Sequence, residues 1–102
     1  MEAIRDIRNL GPAMEEAFAR AGIASGDALR ALGPDEAYAR LIASGHRPHF
    51  IAYYALVLGL QDRGWNTLGA EEKAALRERF DAIKARPGAS ELESFLREMG
   101  LD

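Results

Sequence analysis

The chain has 102 residues, 48% of them hydrophobic and 28% charged, with a formal net charge of −3 and no cysteine. That size and mixture fit one globular domain over residues 1–102, and the missing cysteines exclude disulfides, thiolate metal sites and thiol nucleophiles. The mild acidity argues against a protein that holds nucleic acid by charge alone, because neutralising phosphates requires a surplus of Lys and Arg.

The opening segment, MEAIRDIRNL, carries no apolar signal-peptide core. The longest uncharged run, Pro48 to Gln61, is shorter than the ~20 apolar residues that a membrane span needs. A soluble cytoplasmic protein without membrane contact is expected. Val and Thr each occur once, at Val57 and Thr67, while Ala, Leu, Glu and Arg dominate, which favours helix over strand. The expected fold class is all-α, a compact multi-helix domain whose N-terminal half is helix-hairpin-helix-like.

In chain order, helices are predicted over residues 2–9, 13–21, 25–32, 34–44, 48–63, 70–86 and 90–99. Met14, Ala17, Phe18 and Ala21 follow the i, i+3, i+4, i+7 rule, as do Leu92, Phe95, Leu96 and Met99. Pro12 and Pro34 suit first-turn positions, where a missing N–H is harmless. Ser25 is a candidate N-cap, and Ser90 with Glu93 spells a capping box. Gly22, Gly33, Gly45, Gly64 and Gly100 stand where helices end. The 48–63 helix is apolar nearly all round, so it is expected to lie centrally under the others. Phe18, Leu29, Leu41, Tyr54, Leu58, Leu76 and Phe80 are the predicted core, with Trp65 closing it over a loop.

The sequence echoes itself. LGP recurs at 10–12 and 32–34, IASG at 23–26 and 42–45, and EAFAR at 16–20 resembles EAYAR at 36–40. The register drifts between the copies, unlike a solenoid with its constant period. Two helices with similar starts and similar apolar faces account for it, and a decayed duplication is the alternative.

Catalytic signals are missing. None of Ser25, Ser44, Ser90 and Ser94 lies in a nucleophile elbow. His46 and His49 have no third ligand, and Pro48 interrupts their spacing, so neither a metal nor another cofactor is expected. Carboxylates and cations alternate along Glu71, Glu72, Lys73, Arg77, Glu78 and Arg79, the pattern of a solvated helix face. The chain is not expected to be an enzyme.

Two places could meet an anion. Asn9-Leu10-Gly11-Pro12 reads as a hairpin between the first two helices, with Gly11 expected in a conformation that a side chain would strain. Backbone N–H groups of such a turn can hold a phosphate without reading bases. Arg8, Asn9 and Gly11 are the candidate contacts there. Against that, Pro12 removes one donor, Asn9 stands where DNA-binding hairpins usually carry a second glycine, and Glu15 and Glu16 follow. The second place is His46-Arg47-Pro48-His49, which opens the most apolar helix and offers Arg47.

Arg8-Asn9-Leu10-Gly11-Pro12, then Ala21-Gly22-Ile23, Asp27-Ala28-Leu29, Leu32-Gly33, Glu36-Ala37-Tyr38 and Arg40-Leu41, taken in order, resemble the C-terminal domain of TfoX (Sxy) competence regulators. Tyr54-Ala55-Leu56, Trp65 and Glu71-Glu72-Lys73 extend the resemblance, which covers roughly residues 4 to 80, with the His46-Arg47-Pro48-His49 loop and the helix from Ser90 onward expected to fall outside it. The stretch from Gly22 to Leu29 is also similar to other helix-hairpin-helix domains, including the C-terminal domain of the RNA polymerase alpha subunit. The resemblance implies an all-helical, non-enzymatic regulatory module of DNA-uptake gene expression, acting mainly through contacts with a protein partner in transcription. Weak, sequence-independent DNA contact through the hairpin is the alternative. Relatives often pair this domain with a separate N-terminal one; with Met1 almost directly before the match, a stand-alone relative is expected. The resemblance supplies no binding residues, and the oligomeric state stays open.

Overall fold

A computed structural model of the chain describes residues 1–86 and Gly100. Among these residues the fold is all-α. It consists of α1 (Pro12–Arg20), α2 (Gly26–Leu32), α3 (Pro34–Ala43), α4 (Phe50–Leu60) and α5 (Ala70–Ala85), with single 3-10 turns at Ile4–Asp6 and Trp65–Thr67. The predicted helix at 90–99, with its Ser90–Glu93 capping box, lies outside the described residues.

The N-terminal segment departs from expectation. Residues 2–9 form one 3-10 turn flanked by extended Ala3 and Ile7. Ile4, Ile7 and Leu10 are all buried, a period of three that suits a strap pinned at every third residue better than a 3.6-residue helix. The Leu10–Gly11 turn therefore does not join two α-helices. Gly11 itself is extended, with φ −119° and ψ −174°, and space lies open where its Cβ would be. The left-handed residue of this turn is Asn9, at φ 70°.

Helix ends follow the sequence closely. Pro12 and Pro34 open α1 and α3, each after a glycine. Ser25 caps α2 by accepting the Ala28 N–H at 3.1 Å. α1, α3 and α4 end alike, with a left-handed residue followed by an amide that reaches back six-to-one: Ile23 to Phe18, His46 to Leu41 and Arg63 to Leu58. Gly22 and Gly45 supply the turn in the first two, but Asp62, at φ 57°, supplies it after α4. Gly64, expected in that role, has φ −67°.

α3, not α4, is the hub, touching α1, α2, α4 and α5. Ala37, Tyr38 and Leu41 of α3 are fully buried. Tyr38, Tyr53 and Phe80 form one aromatic cluster with ring centroids 5.5–6.1 Å apart, a spacing that adds to their burial energy. Six of the predicted core residues are buried; Tyr54 is half-buried, and Tyr53 takes the inner position. In a helix apolar on every side, periodicity could not say which tyrosine faces inward. Contrary to expectation, α4 is not covered all round among the described residues: Ile51 remains 65% exposed.

Tyr53 also anchors a polar network. Its hydroxyl donates to Asp35, which accepts two further bonds from Arg79 at 2.7 and 3.0 Å. Burial and then the neighbouring Asp35 carboxylate push the Tyr53 phenol far up, so it stays neutral as a donor. Burial alone would raise the Asp35 carboxyl, but the Arg79 guanidinium and the Tyr53 hydroxyl outweigh it and hold Asp35 below its usual range.

These carboxylates make stability pH-dependent. The hydrogen bond from Arg63 holds Glu72 at about 2, against an ordinary 4.5, and Glu2, Glu15, Asp35 and Glu36 are lowered too. A carboxyl depressed on folding stabilises above its unfolded pKa and loses that contribution as pH falls through the folded one. The urea midpoint should therefore be flat from neutrality down to the ordinary carboxylate range, then fall toward Glu72's value of about 2. Glu72→Gln should shrink the difference between neutral and acid midpoints; an unchanged difference would mean the Arg63 pair contributes nothing.

Candidate functional site

The loop before α1 and the C-terminal end of α4 are built as one junction. Asn9 Nδ2 donates to the Ala55 carbonyl at 3.1 Å and to the Arg63 carbonyl at 2.8 Å. Gly59 lies directly beneath; a Cβ there would overlap the Arg8 carbonyl oxygen and sit 3.2 Å from its carbon. Arg30 adds a bond to the Leu60 carbonyl at 3.3 Å while pairing with Glu2. The Asn9 side chain thus fastens the strap to α4.

The Asn9–Pro12 turn offers few free donors. The Leu10 N–H is bonded to the Ile7 carbonyl at 3.1 Å, and Pro12 has none. Glu15 folds back onto the segment, accepting from the Arg5 backbone at 3.0 Å and its side chain at 2.8 Å, and so places a carboxylate beside the turn. The Arg8 guanidinium lies within 3.3 Å of the Cβ position of Gly64, next to Trp65. Trp65 is 56% exposed, contrary to its expected place over the core. Gly64 is the buried residue of this bend, and the 3-10 turn after it carries the indole outward.

Arg47 sits elsewhere. It precedes α4, whereas Arg8 meets the chain just after that helix, so the two do not converge. Arg63, near Arg8 in the fold, is spent on Glu72 at 2.7 and 2.9 Å, with further bonds to Gln61 and Thr67. Among the described residues, Arg8, Arg47 and Lys73 are the cations without a carboxylate partner.

Arg47 lines an open cleft of about 360 Å³ with His46, His49 and Ser44 from the α3–α4 loop and Arg20 from α1. The loop is held from below by buried Tyr38. That hydroxyl accepts the His49 N–H at 2.8 Å and donates to the His49 carbonyl at 3.1 Å. The His46 ring meets the Tyr38 ring edge-on at 6.4 Å. Sequence reading singled out the loop but missed Arg20, which only the packing of α1 against α3 brings to it. Among the described residues, no group of three or more His, Cys, Asp or Glu could hold a metal ion, and no helix is long and apolar enough to cross a membrane.

The sequence profile of the TfoX C-terminal domain matches residues 1–80, the span that holds the strap, the Gly-Pro start of α1, the Gly22 turn, the Ser25-capped helix and the α3 hub. The chain belongs to the TfoX C-terminal domain family. No curated protein and no solved structure matches it significantly. The match takes in the Asn9 junction, the cleft loop, Trp65 and the first part of α5. Both surface features of this TfoX C-terminal domain therefore lie within its family-defining portion, and residues 81–102 extend beyond it.

Proposed function

We propose that this TfoX C-terminal domain is a non-enzymatic interaction module of competence-gene regulation, working in the cytoplasm through contacts with a protein partner of the transcription apparatus. The observation that carries the reading is the exposed Trp65 turn beside the Arg8 guanidinium, which has no carboxylate partner among the described residues. Trp and Arg are the residue types that dominate binding energy at protein interfaces, and a large flat side chain held on a short turn loses little entropy when it docks. Family membership supports the regulatory setting. The charge distribution supports protein over nucleic acid: most arginines are consumed in ion pairs, and Arg8 and Arg47 do not align along a track that could follow successive phosphates.

The test has two arms. In a competence-gene reporter strain, Trp65→Ala should abolish the chain's effect while leaving its thermal unfolding unchanged. By fluorescence anisotropy, a labelled duplex should bind no tighter than ~10⁻⁴ M at physiological salt, the weak end of non-specific association. Low-micromolar duplex binding that Arg8→Glu abolishes in a folded protein would replace this reading with DNA contact through the strap.

A further inference from the structure

We infer that the cleft between α1 and the α3–α4 loop is a binding site for a phosphate monoester, separate from the Trp65 surface. Its side-chain chemistry points that way. Arg20 and Arg47 approach from two different elements, and His46 and His49 add imidazole donors. Two arginines and two histidines thus line one concavity, and the carboxylate paired with them among the described residues is Glu16, on Arg20. The three terminal oxygens of a phosphate monoester, carrying two charges, can take bidentate bonds from a guanidinium and further bonds from imidazoles. The volume, about 360 Å³, falls in the range of small-ligand sites rather than of an extended groove. Polymeric nucleic acid fits poorly, since Arg8 and Lys73, the cations besides Arg47 without a carboxylate partner among the described residues, belong to other parts of the surface.

The site is also fixed in shape before any ligand arrives. Left-handed Gly45, at φ 103°, turns the chain at the end of α3, the His46 amide closes the turn on Leu41 at 3.0 Å, and Tyr38 grips both polar groups of the His49 backbone. A loop tied to the core at each end costs little ordering on binding.

One carboxylate stands against the site. Glu16, one turn before Arg20 on α1, bonds its guanidinium at 3.0 Å. Both partners are mostly solvent-exposed, so the pair is weak and an incoming dianion can displace it. Glu16 then acts as an internal competitor, and its neutralisation should improve binding.

Inorganic phosphate titrated into the full chain at constant ionic strength, followed by backbone amide NMR shifts, tests the inference. Saturable shifts centred on Arg20 and residues 44–49 are expected. Arg47→Glu should weaken them at least about tenfold and Glu16→Gln should strengthen them by about threefold, while Lys73→Glu, an equal charge change on α5, should leave affinity unchanged. A sugar phosphate and a phosphoserine peptide then distinguish a free metabolite from a modified protein, and tighter binding of either than of phosphate alone supports the site. Non-saturable shifts, or equal losses from Arg47→Glu and Lys73→Glu, would overturn it, reducing the cleft to a patch of diffuse positive charge. Because Trp65 takes no part, a reporter phenotype of Trp65→Ala with no phosphate binding would sink this inference alone.

Discussion

Gly59→Val should cost the domain ~3 kcal/mol or more, the upper end of what overpacking a buried site produces and a large share of the ~5–15 kcal/mol that holds a domain folded. Gly59 sits in α4 with a helical backbone, so conformational freedom is not the reason for a glycine. The reason is contact: any Cβ would overlap the Arg8 carbonyl oxygen, a backbone atom fixed by the Asn9 anchor on one side and buried Ile7 and Leu10 on the other. The informative companion is Gly59→Ala. Helix propensity alone predicts that alanine stabilises by about 1 kcal/mol at a helix interior, whereas the close approach predicts a loss. The sign of the shift in urea midpoint decides between them, and a stabilised Gly59→Ala protein would show that the strap does not lie against α4.

The second large effect is expected on the other side of the same junction. Asn9→Ala removes two hydrogen bonds to main-chain carbonyls, each worth ~0.5–1.5 kcal/mol net, and places alanine in a left-handed conformation at ~1 kcal/mol or more. The sum is ~2–4 kcal/mol. Asn9→Gly relieves the backbone but not the bonds, so it should recover roughly the conformational part. Asn9→Asp keeps a residue that tolerates positive φ but turns a carboxylate toward two carbonyl oxygens, so it should do no better than alanine. If Asn9→Gly matches the parent protein in chemical denaturation, the Ala55 and Arg63 bonds carry no stability.

This junction bears on how the N-terminal turn is to be understood. Asn9 stands where a DNA-binding hairpin would carry glycine, and its side chain is committed to α4 rather than directed at solvent. Gly11 has neither positive φ nor a close neighbour. Arg8 is the residue of the segment whose cation has no carboxylate partner among the described residues, and its guanidinium lies against Gly64, the residue before Trp65. A solvent-facing role therefore falls more naturally to Arg8 with Trp65 than to the turn itself.

Local rules read along the chain determined the helical class, the Gly-Pro starts of α1 and α3, the Ser25 cap, the left-handed glycines at 22, 33 and 45, and most of the core. These features depend on neighbours within about one helical turn, and their residue types act through backbone geometry or amphipathic spacing. The isolated glycine inside an apolar helix was a signal for Gly59, since such a residue is costly without a packing reason, but its partner lies some fifty residues away in sequence. The IASG pair makes the limit concrete. At 23–26 the serine caps the start of α2; at 42–45 the same letters end α3 with a left-handed glycine. Likewise EAFAR closes α1 while EAYAR opens α3, and both bury their aromatic residue. Tertiary structure alone decided which tyrosine of α4 turns inward, that Trp65 faces out, that Asn9 is an anchor, and that Arg20 joins Arg47 across a cleft. Each of these is set by which distant surface packs against the segment, and α4, apolar on every side, carried no periodicity to announce it.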